Sequence, residues 1–382
     1  MQQPIYLDYA ASTPVDPRVA EVMGRCLTME GVFANPASRS HVYGWQAEEQ
    51  VEIARRHVAD LLACDAREVV WTSGATESNN LALKGVFEKA GFQGHLITSV
   101  IEHKAVIDPA KWLQQQGVDV TWLEPDASGA IAADKVAAAM REDTRLVSMM
   151  QVNNETGVVN PVAAIGQLCR QRGVLLHVDA AQSAGKLSID VGELQVDLMS
   201  LSAHKFYGPK GVGALYVRRA VQSQLAAQML GGGHERGMRS GTLATHQLAG
   251  MGEAARIALA SRQQEIERIA ALRDKLWQGI AELPGVKRHG AGEIAPGHLN
   301  VCFSGVDGET LLLALRELAV STGSACTSAS MEPSYVLKAM GISAEDALSS
   351  IRMSLGRYTS EQDIDRAVEH ICKIYSDLRQ VG

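Results

Sequence analysis

The 382-residue chain has no CxxC pair, and its cysteines, Cys26, Cys64, Cys169, Cys302, Cys326 and Cys372, form no Cys/His cluster at zinc spacing. Neither a disulfide framework nor a metal site is indicated. No uninterrupted apolar run approaches the ~20 residues that a bilayer span requires, and the opening MQQPIYLDYAASTP has neither a basic start nor an apolar core. A soluble, cytoplasmic protein without a membrane partner is expected. Basic residues are in the minority, 36 Lys+Arg against 43 Asp+Glu, and the formal charge of -7 repels nucleic-acid phosphate, so no direct nucleic-acid binding is expected. The 35 glycines follow no fixed period, which excludes a collagen. With 46% hydrophobic and 21% charged residues, disorder is excluded too, and the chain is long enough for more than one core.

What is present is a rhythm of short apolar runs between about residues 69 and 217: EVVWTS, HLITSV, VDVTWLE, RLVSMMQV, VLLHVD, VDLMSLS and GALYV. Most are separated by helix-like stretches, the pattern of an α/β fold with a largely parallel sheet. Val174 to Val178 is apolar at nearly every position, as expected of a strand covered on both faces. Val51, Ala54, Val58 and Leu61 recur at helical spacing, and Pro161 suits the opening of a helix before Arg172. Beyond about residue 250 a long helix carries Ile266, Ile269, Leu272, Leu276 and Ile280, ending near Pro284-Gly285. A smaller α+β unit is expected after it: a strand near LNVCFS, a helix through TLLLALREL, a small-residue loop, a strand near SSIRMSL and a helix from Ser360 to Leu378.

Open α/β sheets bind ligands beyond the carboxyl ends of their strands. A GxxxxGK[ST] loop is absent and GxGxxG does not open the first βα unit, so triphosphate and dinucleotide readings lose their usual support. SGATESNN follows the first run, and its backbone N–H groups with the Thr76 hydroxyl suit a phosphate at a helix start, although a capped helix looks the same. Lys205 follows LMSLS, where an amine can form a Schiff base with a carbonyl cofactor; most lone lysines are merely solvated. Ser202 and His204 beside it suit phosphate or ring contacts. Asp179 ends a strongly apolar strand, where a carboxylate needs a pyridinium nitrogen or a capping role, and Gln182 can reach the same ligand. His103 suits ring stacking and proton transfer, or a helix cap; His177, inside a strand, reads as a satisfied core residue.

Cys326 lies in VSTGSACTSASMEPS, too poor in apolar residues to bury itself. That setting suits a nucleophilic thiol that presents cargo to a partner, or an incidental surface cysteine. Arg352, in SSIRMSLG, suits a fork on a substrate carboxylate or an ordinary buried salt bridge. GGGHERGMRSGT reads as a backbone-contact loop whose Arg236, Arg239 and Thr242 serve a phosphate or a subunit interface.

These segments carry a resemblance. From YLDYAASTP to the terminal helix, through NPASRSH, TSGATESNN, EHKAV, VNNETG, HVDAAQS, SAHKFYGPKG, GGGHERGMRSGT, TGSACTSAS and SSIRMSLGR, the chain resembles cysteine desulfurases of the IscS/NifS group. The resemblance implies a fold-type I pyridoxal-phosphate transferase, class-V aminotransferase-like: a mainly parallel seven-stranded sheet flanked by helices, with a smaller α+β C-terminal domain. The large domain would span residues 15–260, and residues 1–14 with 261–382 would form the smaller one. Lys205 would be the Schiff-base lysine, Asp179 the partner of the pyridine nitrogen, Gln182 a donor to the ring hydroxyl, and His103 the stacking and proton-moving ring. Ala75, Thr76, Ser202 and His204 would bind the phosphate, with Thr242 joining from the other subunit of a homodimer. Asn154 and Arg352 would hold the carboxylate of L-cysteine, and Cys326 would take its sulfur as a persulfide, leaving alanine.

The TGSACTS loop is similar to that of the long-loop group, which serves iron–sulfur cluster assembly and tRNA thiolation, so the implied acceptor is an iron–sulfur scaffold or a thiolation sulfur carrier. Thr322 stands where the group commonly has Ser, and the chain ends at Gly382, short of the tail by which housekeeping members dock their scaffold. The alternatives are another fold-type I lyase, such as a selenocysteine lyase, and a non-catalytic sulfur-carrier or scaffold subunit.

Overall fold

The computed structural model describes residues 3–322 and 332–381; Cys326 lies outside them. The chain opens with β1 (Ile5–Tyr6), α1 (Pro17–Gly24) and α2 (Val42–Leu62). There follow β2 (Val69–Thr72), α3 (Ala75–Lys89), β3 (His95–Ser99), α4 (Lys104–Gln115), β4 (Asp119–Leu123), α5 (Ala133–Ala139), β5 (Thr144–Met150) and α6 (Val162–Arg172). β6 (Leu175–Asp179), β7 (Leu198–Ser202) and β8 (Gly213–Val217) complete the first sheet. After α7 (Thr245–Ile280) come β9 (Val286–His289), β10 (His298–Phe303), α8 (Gly308–Ala314), β11 (Leu318–Ala319), α9 (Tyr335–Ala339), α10 (Ala344–Leu348), β12 (Ser350–Ser354) and α11 (Glu361–Val381).

The seven apolar runs are the seven strands of one sheet, in the order β2-β8-β7-β6-β5-β3-β4. Neighbours are parallel except β8, which runs antiparallel to both β2 and β7. β7 and β8 have no helix between them, only the short turn of Ala203–Lys205 and a loop, and that connection reverses the direction. The strand interiors are apolar because helices cover both faces: Val69, Trp71, Val147, Leu176 and Met199 pack with α2 and α6 residues such as Val58 and Ile165. Val70, Leu96, Leu146 and Leu215 pack with Leu83 and Phe87 of α3 and Leu113 of α4. His177 is held inside the sheet by the Ser148 hydroxyl on β5 at 2.8 Å and the Ser200 hydroxyl on β7 at 2.9 Å, so the core-histidine reading is correct.

The remaining apolar residues form a second core around the antiparallel sheet β12-β10-β9, with Leu299, Val301, Phe303, Ile351 and Met353 against Ile364, Ile371 and Tyr375 of α11. α7 starts earlier than its periodicity suggests. Its first half, through Leu248, Met251 and Ile257, belongs to the first core, and Ile269, Leu272, Leu276 and Ile280 belong to the second. The helix expected through TLLLALREL also needs correction: α8 stops at Ala314, because Leu318 and Ala319 leave it to pair in parallel with Ile5 and Tyr6. That pairing is tertiary, so the local helical pattern could not reveal it.

Candidate active site

Parallel strands deliver their carboxyl ends to one edge, and there a cavity of about 630 Å³ lies over β2, β3, β5, β6 and β7. Its wall includes Ala75, Thr76, His103, Asn154, Asp179, Gln182, Ser202, His204, Lys205 and Arg352. Of the sequence-selected site residues among the described ones, Thr242, which is exposed, and Arg236 and Arg239 lie off this wall; the others are gathered on it.

At one end α3 begins on Gly74, whose φ of +152° suits glycine and whose missing side chain leaves the helix start without a side-chain cap. The first-turn N–H groups of a 15-residue helix, with Ser202 and His204 on the same cavity wall, have the chemistry that suits an anion. His204 accepts or donates to the Ser12 hydroxyl at 3.2 Å, and burial, then the nearby Lys205 charge, lowers its pKa to about 4. It is neutral at neutral pH.

Asp179 is nearly buried at the end of β6. One carboxylate oxygen accepts from the Ala181 N–H at 2.9 Å and the other from the Asn79 amide at 2.7 Å. No helix follows Asp179, so it closes an Asx turn at the sheet edge and caps no helix. His103 does cap α4: Nδ1 accepts from the Ala105 N–H at 3.1 Å, which puts the neutral ring's proton on Nε2. Burial, opposed by the Asp179 charge, lowers its pKa. The capping and the pocket readings of His103 therefore describe one residue with two ring nitrogens.

Lys205 sits in the short turn after β7, with its ammonium donating to the Ala10 carbonyl at 2.7 Å and the Ala11 carbonyl at 2.9 Å. The N-terminal segment, which sequence reasoning gave no chemistry, thus closes the cavity. It also brings Asp8 to Arg352: Nη2 donates to Asp8 Oδ1 at 2.8 Å and Nη1 to the Asn154 carbonyl at 3.0 Å. Arg352 is accordingly in a salt bridge and at the cavity wall at once. Its Nε and the Asn154 side-chain oxygen are buried and have no hydrogen-bond partner among the described residues. Asn79 and Asp8 were the missed residues. Asn79 stood inside TSGATESNN and Asp8 inside YLDYAASTP, but nothing in the spacing distinguished them.

From the GGGHERGMRSGT loop, Arg239 pairs with Glu77 at 2.8 Å and Arg236 donates to the Val69 carbonyl at 2.8 Å. Both serve packing within the chain. Among the described residues no group of three or more His, Cys, Asp or Glu side chains could hold a metal ion, and no helix is long and apolar enough to cross a membrane.

Residues 5–367 match the family described as Aminotransferase class-V. The chain belongs to the class-V aminotransferase family. Within it, the chain is 61% identical over 386 residues to a protein of Shewanella halifaxensis (strain HAW-EB4) named Cysteine desulfurase IscS, covering 100% of this chain and 95% of that one. A Shewanella baltica (strain OS223) protein of the same name is 60% identical with the same coverage. Among solved structures, a NifS-like protein superposes with a TM-score of 0.90 at 36% identity, over 98% of this chain and 100% of that one. A structure titled SspA in complex with cysteine gives 0.83 at 40% identity, over 93% and 100%. The class-V fold expected from the sequence, a mainly parallel seven-stranded sheet flanked by helices with a smaller α+β unit, is the one present, and the strands of the smaller unit form an antiparallel sheet.

Proposed function

We infer that the protein is a pyridoxal-phosphate-dependent cysteine desulfurase that converts L-cysteine to alanine and leaves the sulfur as a persulfide on Cys326. The observation that carries this reading is the convergence of Lys205, Asp179, His103 and the uncapped α3 start on one cavity. These residues fit the cofactor. The α3 start with Ser202 and His204 suits its phosphate, Asp179 its ring nitrogen, Gln182 its ring hydroxyl, His103 the ring face, and Lys205 its carbonyl carbon.

When bound, pyridoxal phosphate supplies an electron sink for charge developing at the substrate α-carbon. The protein supplies the rest. Arg352 Nε, buried and unpartnered, and the amide N–H of Asn154 take the substrate carboxylate, while Asp8 holds the guanidinium in place. Burial holds the His103 pKa below its ordinary value, and with Nδ1 taken by the Ala105 N–H it is the Nε2 proton that the neutral ring has to give. The Cys326 thiolate attacks the substrate sulfur, forming the S–S bond as the Cβ–S bond breaks with its electron pair left on carbon; a proton is added at Cβ, the one lost from the α-carbon is replaced, and alanine departs.

The same reading divides the chain into residues 15–260, which hold the cofactor, and residues 1–14 with 261–382, which carry Arg352 and Cys326. Thr242, exposed and off its own chain's cavity, supports a homodimer in which it reaches the partner's phosphate site. A cytoplasmic location and an acceptor that is an iron–sulfur scaffold or a thiolation carrier belong to the same proposal.

The test is the yield of alanine and protein-bound persulfide after mixing the pure protein with L-cysteine, for wild type and Cys326→Ala. Alanine with persulfide in the wild type alone is the expected result. Equal alanine from both would make Cys326 dispensable and favour a lyase, and none from either would favour a non-catalytic scaffold.

A further inference from the structure

Lys186 lies four residues beyond Gln182, in the turns between β6 and β7. Its ammonium donates to Gln182 Oε1 at 3.0 Å, its one hydrogen-bond partner among the described residues. Gln182 lines the large cavity. Lys186 does not; it lines a separate void of about 30 Å³ with Tyr9, Tyr207 and His298. Lys186 therefore has no direct contact with whatever fills the active site, and Gln182 stands between them.

On its other side Gln182 Nε2 donates to the Ala10 carbonyl at 2.8 Å, the same oxygen that accepts from Lys205 at 2.7 Å. An ammonium can only donate and a carbonyl only accept, so both neighbours demand the same amide orientation: Oε1 toward Lys186, Nε2 toward Ala10 and the cavity. We propose that Lys186 is a positioning residue for the cofactor, fixing the Gln182 amide so that its remaining N–H is presented to the ring hydroxyl of pyridoxal phosphate. The proposal rests on the cofactor reading above.

No carboxylate among the described residues pairs with Lys186; the charges that act on it are the cations Lys205 and Arg352, and the ring of His298, whose pKa burial holds well below its ordinary value, lies in the same void. Burial first, and then those cations, lowers the Lys186 pKa to about 7. The Ala10 carbonyl, which can only accept, sets which way round the amide lies, and the protonated Lys186 holds its oxygen end in that place.

The experiment is a pH titration of the visible absorption of the cofactor-loaded protein, for wild type, Lys186→Met, Lys186→Arg, Gln182→Leu and the Lys186→Met/Gln182→Leu pair. Lys186→Met should raise the titration midpoint by about half a pH unit, roughly threefold in the ionisation constant. It should also weaken cofactor retention by about three- to tenfold. Lys186→Arg should restore both, and in the Gln182→Leu background Lys186→Met should add nothing. An equal shift with and without Gln182 would mean that Lys186 acts through its charge alone, and no shift in either would deny it any role; each overturns the proposal. A wild-type protein with no visible band would overturn the cofactor reading itself. If Lys186→Met accumulates poorly, Lys186→Ala carries the same comparison.

Discussion

Glu102 shows what a single side chain's surroundings decide. It is fully buried beside His103, with Oε1 accepting from the Ser99 hydroxyl at 2.8 Å and the Met150 N–H at 3.0 Å, while Oε2 has no partner among the described residues. Burial, aided by the Asp179 charge and opposed by those two hydrogen bonds, raises its pKa to about 8. The folded value lies above the unfolded one, near 4.3 for a free Glu. Its contribution to stability is therefore complete below the unfolded value and is lost as the pH rises through about 8. Glu102→Gln removes the titration with little change in shape. Wild-type stability should fall relative to this variant between about pH 5 and 8, by at most about 1.4 kcal/mol per pH unit, as read from urea midpoints. A constant difference across that window would show that Glu102 ionises in the fold as it does in the unfolded chain. Nothing in EHKAV foretold this, because the burial comes from strands far away in the sequence.

Among the elements, α3 joins sequence to chemistry most directly. A strand, a glycine and a helix of small and polar residues are legible in TSGATESNN, and the helix start indeed stands at the cavity. Gly74→Ala would force a residue with Cβ into φ +152°; its Cβ would meet Ser202 Oγ at an ordinary 3.7 Å, so backbone conformation is the main obstacle. Such a conformation costs about 1–3 kcal/mol, and the chain would relieve it by turning the first-turn N–H groups. Gly74→Ala should therefore lower pyridoxal-phosphate affinity about tenfold or more in equilibrium dialysis. Unchanged affinity would place the phosphate elsewhere. By contrast, β1 and β11, of two residues each, carry no periodicity of their own and exist only because Ile5 finds Leu318.

The two cores of the whole molecule are joined by one arginine as well as by α7. Arg357, just beyond β12, donates to Asp16 at 2.7 Å and to Glu265 on α7 at 2.7 Å. Its guanidinium also lies 4.0 Å from the ring centre of Tyr207, two residues beyond Lys205. Tyr207 has a φ of +69°, a strained value for an aromatic residue, and the contact holds it there. Arg357→Ala leaves Asp16, which is 3% exposed, with Arg18 as its remaining ion-pair partner. It should cost about 3 kcal/mol in urea unfolding and loosen the Lys205 turn, with a weaker visible cofactor band as the accompanying sign. A loss below about 0.5 kcal/mol would show the two cores to be held by packing alone.

The class of the fold and the chemistry-bearing side chains were decided by the sequence itself. Strand cores covered on both faces must be apolar throughout, and polar residues that end such strands in a parallel sheet meet at one edge whatever the strand order. What only the tertiary structure decided are the contacts made across long separations. These are the strand order and the reversal of β8, the closure of the cavity by Ala10 and Ala11, the Asp8–Arg352 pair 344 residues apart, and the burial that holds the Glu102 proton. Each depends on which surfaces meet, and neither periodicity nor spacing records that.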